Sequence, residues 1–141
     1  MKYDIPIRIR VLRPFAGITM KVQRGRDELL PPTSNSEKEL LFDLKINVDL
    51  SSGPPNFLGT YAQGPKDARF IYVNSGKYAG QPDTECARRA KISLMSISKK
   101  QIEEIIASTD KLLEVSFNGT GSDGWPTCAT VKGIEWKVVK K

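Results

Sequence analysis

The sequence predicts a mainly β domain: about eight short, mostly antiparallel strands in a small barrel or sandwich, with one α-helix at about 98–108. Three observations support this fold class. Apolar residues alternate with polar ones in short runs, which is the period of a half-buried strand. Clusters of glycine, proline, asparagine and serine separate the runs and mark turns. One stretch departs from the period of two and carries a helix start signal.

The first strand is predicted at 5–11, where isoleucine or valine occupies every second position. Pro6 within this run indicates an edge strand or a strand start, because proline cannot donate to a ladder. A turn at 13–17 and a second alternating run at 18–23 follow. We therefore expect these two strands to pair as a β-hairpin.

The remaining strands are predicted at 40–48, 57–61, 69–73, 88–94, 113–117, 127–131 and 134–138. The run at 69–73 is apolar on both faces, which is typical of an interior strand. The proline-rich stretches at 31–36 and 51–55 are too short to link two domains, and no internal repeat is present. A single β-rich domain over 1–141 is expected.

The helix is predicted from its first turn. Ser98 followed by Gln101 matches a capping box, in which each residue bonds to the backbone of the other. Ile102, Ile105 and Ile106 then form an apolar stripe at helical spacing. The helix should end near 107–108.

Composition limits the partners and the compartment. The chain has 22 Lys and Arg residues against 16 Asp and Glu, a net charge of +6, which favours an anionic partner or reflects a mildly basic surface. No run approaches the ~20 apolar residues of a membrane span, so no membrane association is expected. The N-terminus lacks the apolar core of a secretory signal, and a cytoplasmic protein is predicted.

The chain contains no histidine. This excludes Ser-His and Cys-His nucleophile activation and imidazole metal ligands. Cys86 and Cys128 are the only cysteines, and neither a disulfide nor a zinc site is expected from them. The aspartates lack the spacing of a calcium loop. We expect no cofactor and no metal.

The turn-rich central segment, 56–94, carries the predicted ligand site, with a companion in the glycine-rich stretch at 119–128. Its candidate ligand-binding residues are Asn56, Gln63, Arg69, Tyr72, Tyr78, Arg88, Arg89 and Asp123. The three arginines would supply positive charge if they converge at one end of a sheet. The two amides would orient a ligand, Tyr72 or Tyr78 would wall the pocket, and Asp123 would hold an arginine or contact the ligand.

Arg88 decides how this segment is interpreted. If the alternation of 88–94 begins at Arg88, its guanidinium shares a face with Ile92 and Leu94 and must be neutralised. A carboxylate or a bound anion would do so. If the strand instead begins at 89 or 90, Arg88 lies in a solvated loop.

The prediction is therefore a small-molecule or anion-binding β domain, with two alternatives. One is an interaction or structural module in which an exposed edge strand at 5–11 pairs two copies into a homodimer. The other is an enzyme without histidine, using Asp123 or Glu85 as base beside an arginine. Aromatic residues near lysines and arginines could stack bases, but core packing explains them more simply, and a nucleic-acid partner is not favoured.

The segments NFLG, QG, RFIYVNSG, YAGQ and RRAKI, together with GTGSDGWPTCATV, add a resemblance. With them the chain resembles an uncharacterised bacterial family of small single-domain proteins, a domain of unknown function. The resemblance covers nearly the full length. It implies a bacterial, cytosolic protein and brings no activity, cofactor or residue role.

Overall fold

A computed structural model shows a mainly β protein with one helix. The structure describes residues 2–12, 20–24, 31–36, 38–51, 53–58, 69–75, 89–118 and 134–141. The elements in these residues are β1 (Lys2–Leu12), β2 (Met20–Arg24), β3 (Ser34–Asn35), β4 (Glu39–Asp49), β5 (Asn56–Leu58), β6 (Phe70–Ser75), β7 (Arg89–Ser93), α1 (Lys99–Ile106), β8 (Lys111–Asn118) and β9 (Lys137–Lys140).

The strands form two sheets. The larger has the order β3-β4-β1-β8-β9, with β5 also paired to β4, and the smaller has the order β2-β6-β7. All pairs are antiparallel except β1 with β8, which is parallel. Within the described residues neither sheet closes on itself, so the open, sandwich-like alternative is found and the barrel is not.

One core lies against the larger sheet. Alternate residues of β1 are almost fully buried, and those between them are partly exposed. The same buried cluster includes residues of the smaller sheet, such as Ile71 and Ile92, and of the helix, such as Ile102 and Ile105. The larger sheet therefore has an inner face towards this core and an outer face that carries the alternating polar residues.

The predicted hairpin between the first two strands is wrong. β1 pairs along its whole length with β4, and Ile7–Leu12 of β1 pairs on the other side with β8. β2 instead pairs with β6 in the smaller sheet. Alternation shows which face of a strand is buried but not which strand lies beside it, so sequence adjacency was misleading here.

The same pairing removes the basis for the predicted dimer edge. The stretch Ile7–Leu12 is an interior part of the sheet, so two copies could pair along it only by displacing β8. Pro6 nevertheless lies where the pairing of β1 with β8 begins. In the described residues β1 pairs with β8 only from Ile7 onward, one position after the proline.

Most predicted elements are confirmed within the described residues. The interior strand is β6, which lies between β2 and β7. Two differences stand out: β3 lies in a predicted loop, where Thr33 and Ser34 run beside β4, and β9 begins at Lys137, three residues after the predicted start. The predicted strand at 127–131 lies outside the described residues.

The helix begins as predicted. Ser98 accepts from the Gln101 backbone N–H, and the Gln101 side-chain oxygen accepts from the Ser98 N–H. The Gln101 side-chain amide also donates to the Trp136 carbonyl at 2.6 Å. Trp136, 2% exposed, donates its indole N–H to the Ser93 carbonyl at the end of β7. This chain of bonds ties the helix, the smaller sheet and the segment before β9 together.

Candidate functional site

The structure describes four of the eight sequence-predicted ligand residues. Asn56 is exposed at the start of β5, paired with Asp49 of β4. Tyr72 lies in the middle of β6 and is only 7% exposed. The residues that lie outside the described part of the chain are Gln63, Tyr78, Arg88 and Asp123, together with the alternative base Glu85.

The backbones of Arg69 and Arg89 lie at opposite ends of the pairing between β6 and β7. The Arg69 carbonyl accepts from the Leu94 N–H, whereas Arg89 pairs with Asn74 at the far end of the same ladder. The two backbones are five positions apart along β6, roughly 16 Å at ~3.3 Å per residue. The two strands are antiparallel, so the start of β6 lies beside the end of β7. Arg69 precedes the start of β6, whereas Arg89 is at the start of β7, at the opposite end. Their roles as ligand residues remain predictions.

The outer face of the larger sheet carries an ionic network of five side chains. Its members are Arg8, Arg10, Glu39, Asp43 and Glu114. Arg8 of β1 lies directly across from Asp43 of β4 and Glu114 of β8. These are the closest cross-strand neighbours in a sheet, so charges of opposite sign are expected to pair there.

Each of the three side-chain nitrogens of Arg10 makes a hydrogen bond within this network. It binds Glu114 through two nitrogens at 3.3 and 3.2 Å, and a third nitrogen binds Glu39. The hydrogen bonds that Arg10 donates to Glu114 and then to Glu39 raise the pKa of Arg10 above its usual value. The contact between Arg10 and Glu114 is bidentate, which is the strongest kind of hydrogen-bonded pair between a guanidinium and a carboxylate.

Arg8 is held at one point only. Its Nε donates to Asp43 at 2.8 Å, and its nearest contact to Glu114 is 3.9 Å, which is too long for a hydrogen bond. The Thr33 hydroxyl lies 2.9 Å from the other oxygen of Asp43 and 3.0 Å from the Leu41 carbonyl, so its single proton is shared between these two acceptors. Among the described residues Arg8 therefore keeps N–H donors free for another acceptor.

An open cavity of about 320 Å³ lies beside Arg8 on this face. It is lined by Pro6, Ile7, Arg8, Asp43, Leu44, Lys45, Leu112 and Lys141. It lies at the place where the pairing of β1 with β8 stops, next to Pro6. We name it the outer cavity. Its volume falls at the lower end of the range of small-molecule sites.

Charge on the lining is unbalanced. Three cationic side chains and one carboxylate surround the outer cavity. The Lys141 ammonium donates to the Thr109 carbonyl at 3.2 Å, and Arg8 is paired with Asp43. Lys45 is exposed and has no ion-pair partner in the part of the chain that the structure describes. The lining residues therefore carry more positive than negative side-chain charge.

The remaining lining is apolar. Leu112 is 4% exposed, yet it does not belong to the core cluster that includes its neighbour Leu113. Successive residues of a strand point to opposite faces, so Leu112 is buried on the outer side of the sheet. Together with the half-buried Pro6 it offers the cavity an apolar surface.

Sequence reasoning missed this cavity. The one signal in the sequence is Pro6, which by itself indicates only an edge strand or a strand start. Arg8 and Lys45 are ordinary polar positions in alternating runs, and Lys141 lies after the last predicted strand, so the three are far apart in the sequence. Only the parallel pairing of β1 with β8, at Ile7 with Leu113, brings Leu112 and the C-terminal segment beside Pro6.

Neither a metal centre nor a membrane-spanning helix is found among the described residues. Within them, no three Cys, Asp or Glu side chains lie close enough to hold a metal ion. No helix there is long and apolar enough to cross a membrane.

Fold and cavity together define a small, mainly β protein with a cation-lined recess on the outer face of its larger sheet. The chain belongs to a family of unknown function, DUF5990, whose model matches residues 5–139. The predicted resemblance to an uncharacterised family is thereby confirmed. No curated protein and no solved structure matches the chain.

Proposed function

We propose that this chain is a small-molecule-binding β domain that takes anionic ligands in the outer cavity. One observation carries the proposal: three cations surround an open cavity of about 320 Å³, and Lys45 has no ion-pair partner among the described residues. An anion that reached the cavity would meet the ammonium of Lys45 and the free N–H groups of Arg8.

The ionic network supports the proposal by fixing the geometry. Asp43 is held by Arg8 and Thr33, and Glu114 is held by Arg10. The carboxylates nearest the cavity therefore already have hydrogen-bond partners, and they do not need to move when a ligand binds. A preorganised site of this kind loses little conformational freedom on binding.

The test compares two variants of equal charge. Lys45→Gln removes the unpaired cation at the cavity, and Lys100→Gln removes an exposed lysine of α1 that does not line it. Thermal unfolding is followed at constant ionic strength with sodium acetate, hexanoate or phosphate. A ligand at ten times its Kd should raise the melting temperature of the wild type and of Lys100→Gln by about 5 °C.

Lys45→Gln should weaken binding by about fivefold, in line with the loss of one exposed charge interaction. The comparison with Lys100→Gln is necessary because phosphate stabilises folded proteins without binding a site. Equal shifts in all three proteins would refute binding at the outer cavity. Arg88→Ala is measured in parallel: a loss of the shift in that variant alone would place the anion at the predicted central segment instead.

A further inference from the structure

We infer that the outer cavity takes an amphipathic monocarboxylate, a single carboxylate on an unbranched apolar chain, with about ten non-hydrogen atoms in all. The inference rests on the proposed function and narrows its ligand class. It follows from the size of the cavity, the arrangement of its lining and the charges around it.

Size sets the upper limit. A volume of about 320 Å³ holds about ten water-sized groups, since each water occupies ~30 Å³ of liquid. Inorganic phosphate, with five heavy atoms, would leave much of this space to solvent. A chain of six to eight carbons with its carboxylate would fill it.

The lining separates charge from apolar surface. Lys45 and Asp43 belong to β4, and Arg8 to the neighbouring β1. Leu112 lies on β8, on the other side of β1, in the direction of Pro6. A ligand that satisfies both parts has a carboxylate over Lys45 and Arg8 and an apolar chain extending towards Leu112.

Charge favours a monoanion. Asp43 lies in the lining, and Glu114 is 3.9 Å from Arg8. A second negative charge on the ligand would approach these carboxylates, and like charges at such distances are unfavourable. A carboxylate presents two coplanar oxygens, which match the free N–H groups of one guanidinium.

The experiment measures Kd by NMR shift titration of the wild type with acetate, butyrate, hexanoate, inorganic phosphate and hexylamine. The apolar chain should contribute in proportion to its buried length, so Kd should fall by roughly two- to fourfold for each added methylene. Hexylamine has the same chain with the opposite charge and should show no saturable binding.

Two kinds of variant separate the ends of the ligand. Leu112→Thr should flatten the dependence on chain length and leave acetate unchanged. Lys45→Gln should weaken all three acids by the same factor. Leu112 is buried, so its variant could lose the fold; Pro6→Ser, at a half-buried position in the same lining, then tests the apolar end.

The outcomes distinguish the two proposals. If acetate or phosphate binds as tightly as hexanoate, and Lys45→Gln weakens them, anion binding stands and the apolar chain is refuted. If none of the anions binds, both proposals fail. If hexylamine binds as tightly as hexanoate, charge does not select the ligand, and both proposals are again overturned.

Discussion

Arg8 and Arg10 are two residues apart on the same strand, yet their surroundings give them different roles. Arg10 makes three hydrogen bonds to Glu39 and Glu114, whereas Arg8 makes one, to Asp43. The difference follows from register. Arg8 lies across from two carboxylates, while Arg10 lies across from Leu41 and Ser116 and reaches the carboxylates diagonally. Arg10 therefore joins β4 and β8 through its carboxylate partners, whereas Arg8 has N–H groups without a hydrogen-bond acceptor among the described residues.

Asp49, at the end of β4, gives a prediction about pH. Hydrogen bonds from the Ser51 hydroxyl and the Ser51 backbone N–H lower the pKa of Asp49 to about 2. A carboxylate whose pKa is lower in the folded state stabilises the fold above its unfolded pKa. That contribution is present above about pH 4 and is lost as the pH falls towards 2.

Ser51→Ala should raise the pKa of Asp49 towards its usual value, because the first of these two bonds is removed. Ser51→Thr keeps a hydroxyl and serves as the control. The measurement is an NMR titration of the Asp49 side-chain carbon. A pKa of about 2 retained in Ser51→Ala would show that the hydroxyl is not the cause.

At the scale of elements, α1 depends on more than its own sequence. Its capping box is local, but the side chain that completes it also reaches the Trp136 carbonyl. Trp136 in turn donates to Ser93. The helix is one of eight residues, and so short a helix is marginal without tertiary contacts. These bonds, with the buried Ile102 and Ile105, supply them.

Gln101→Glu tests this dual role. Glutamate completes a capping box as well as glutamine does, so sequence rules alone predict no loss of stability. The structure predicts a loss of about 1–3 kcal/mol at pH 7, because the Trp136 carbonyl loses its donor and faces a carboxylate. Urea denaturation measures it, with Lys100→Gln as the control.

The same variant should recover part of its stability near pH 4, where a protonated glutamate can again donate to Trp136. Both stabilities are measured relative to the wild type at the same pH. If Gln101→Glu is as stable as the wild type at pH 7, the bond to Trp136 contributes nothing to folding.

For the molecule as a whole, β1 is the central strand. In the order of the larger sheet it lies between β4, with which it pairs antiparallel, and β8, with which it pairs parallel. Its inward residues Ile5, Ile7, Ile9 and Val11 are at most 1% exposed. Opening it would disrupt both halves of the larger sheet at once, so it should open only when the protein unfolds globally.

Hydrogen exchange tests this organisation. The amides of Ile7 to Val11 should exchange at least about tenfold more slowly than those of β9, which in the described part of the chain pairs only with β8. Mass spectrometry of peptides covering each strand compares the two in one sample. Equal rates for β1 and β9 would contradict the central position of β1.

The sequence by itself determined the local elements of this protein. The helix start follows from Ser98 and Gln101, and the buried face of each strand follows from alternation, as β1 and β4 show. The resemblance to an uncharacterised family was also predicted from the chain, and the family model that matches residues 5–139 confirms it. These features depend on neighbours a few residues apart, so the sequence carries them directly.

Only the tertiary structure decided the partners and the candidate site. Alternation shows that one face of a strand is buried, but it does not identify the neighbouring strand, because any strand with a matching buried face can form the backbone hydrogen bonds. In the structure the neighbour of β1 is β8, and β2 pairs with β6. That long-range choice positions Leu112 and Lys141 beside Pro6 and creates the outer cavity. The register of β6 with β7 likewise separates Arg69 from Arg89. Pairing and register are properties of the assembled sheets, because they depend on residues far apart in the chain.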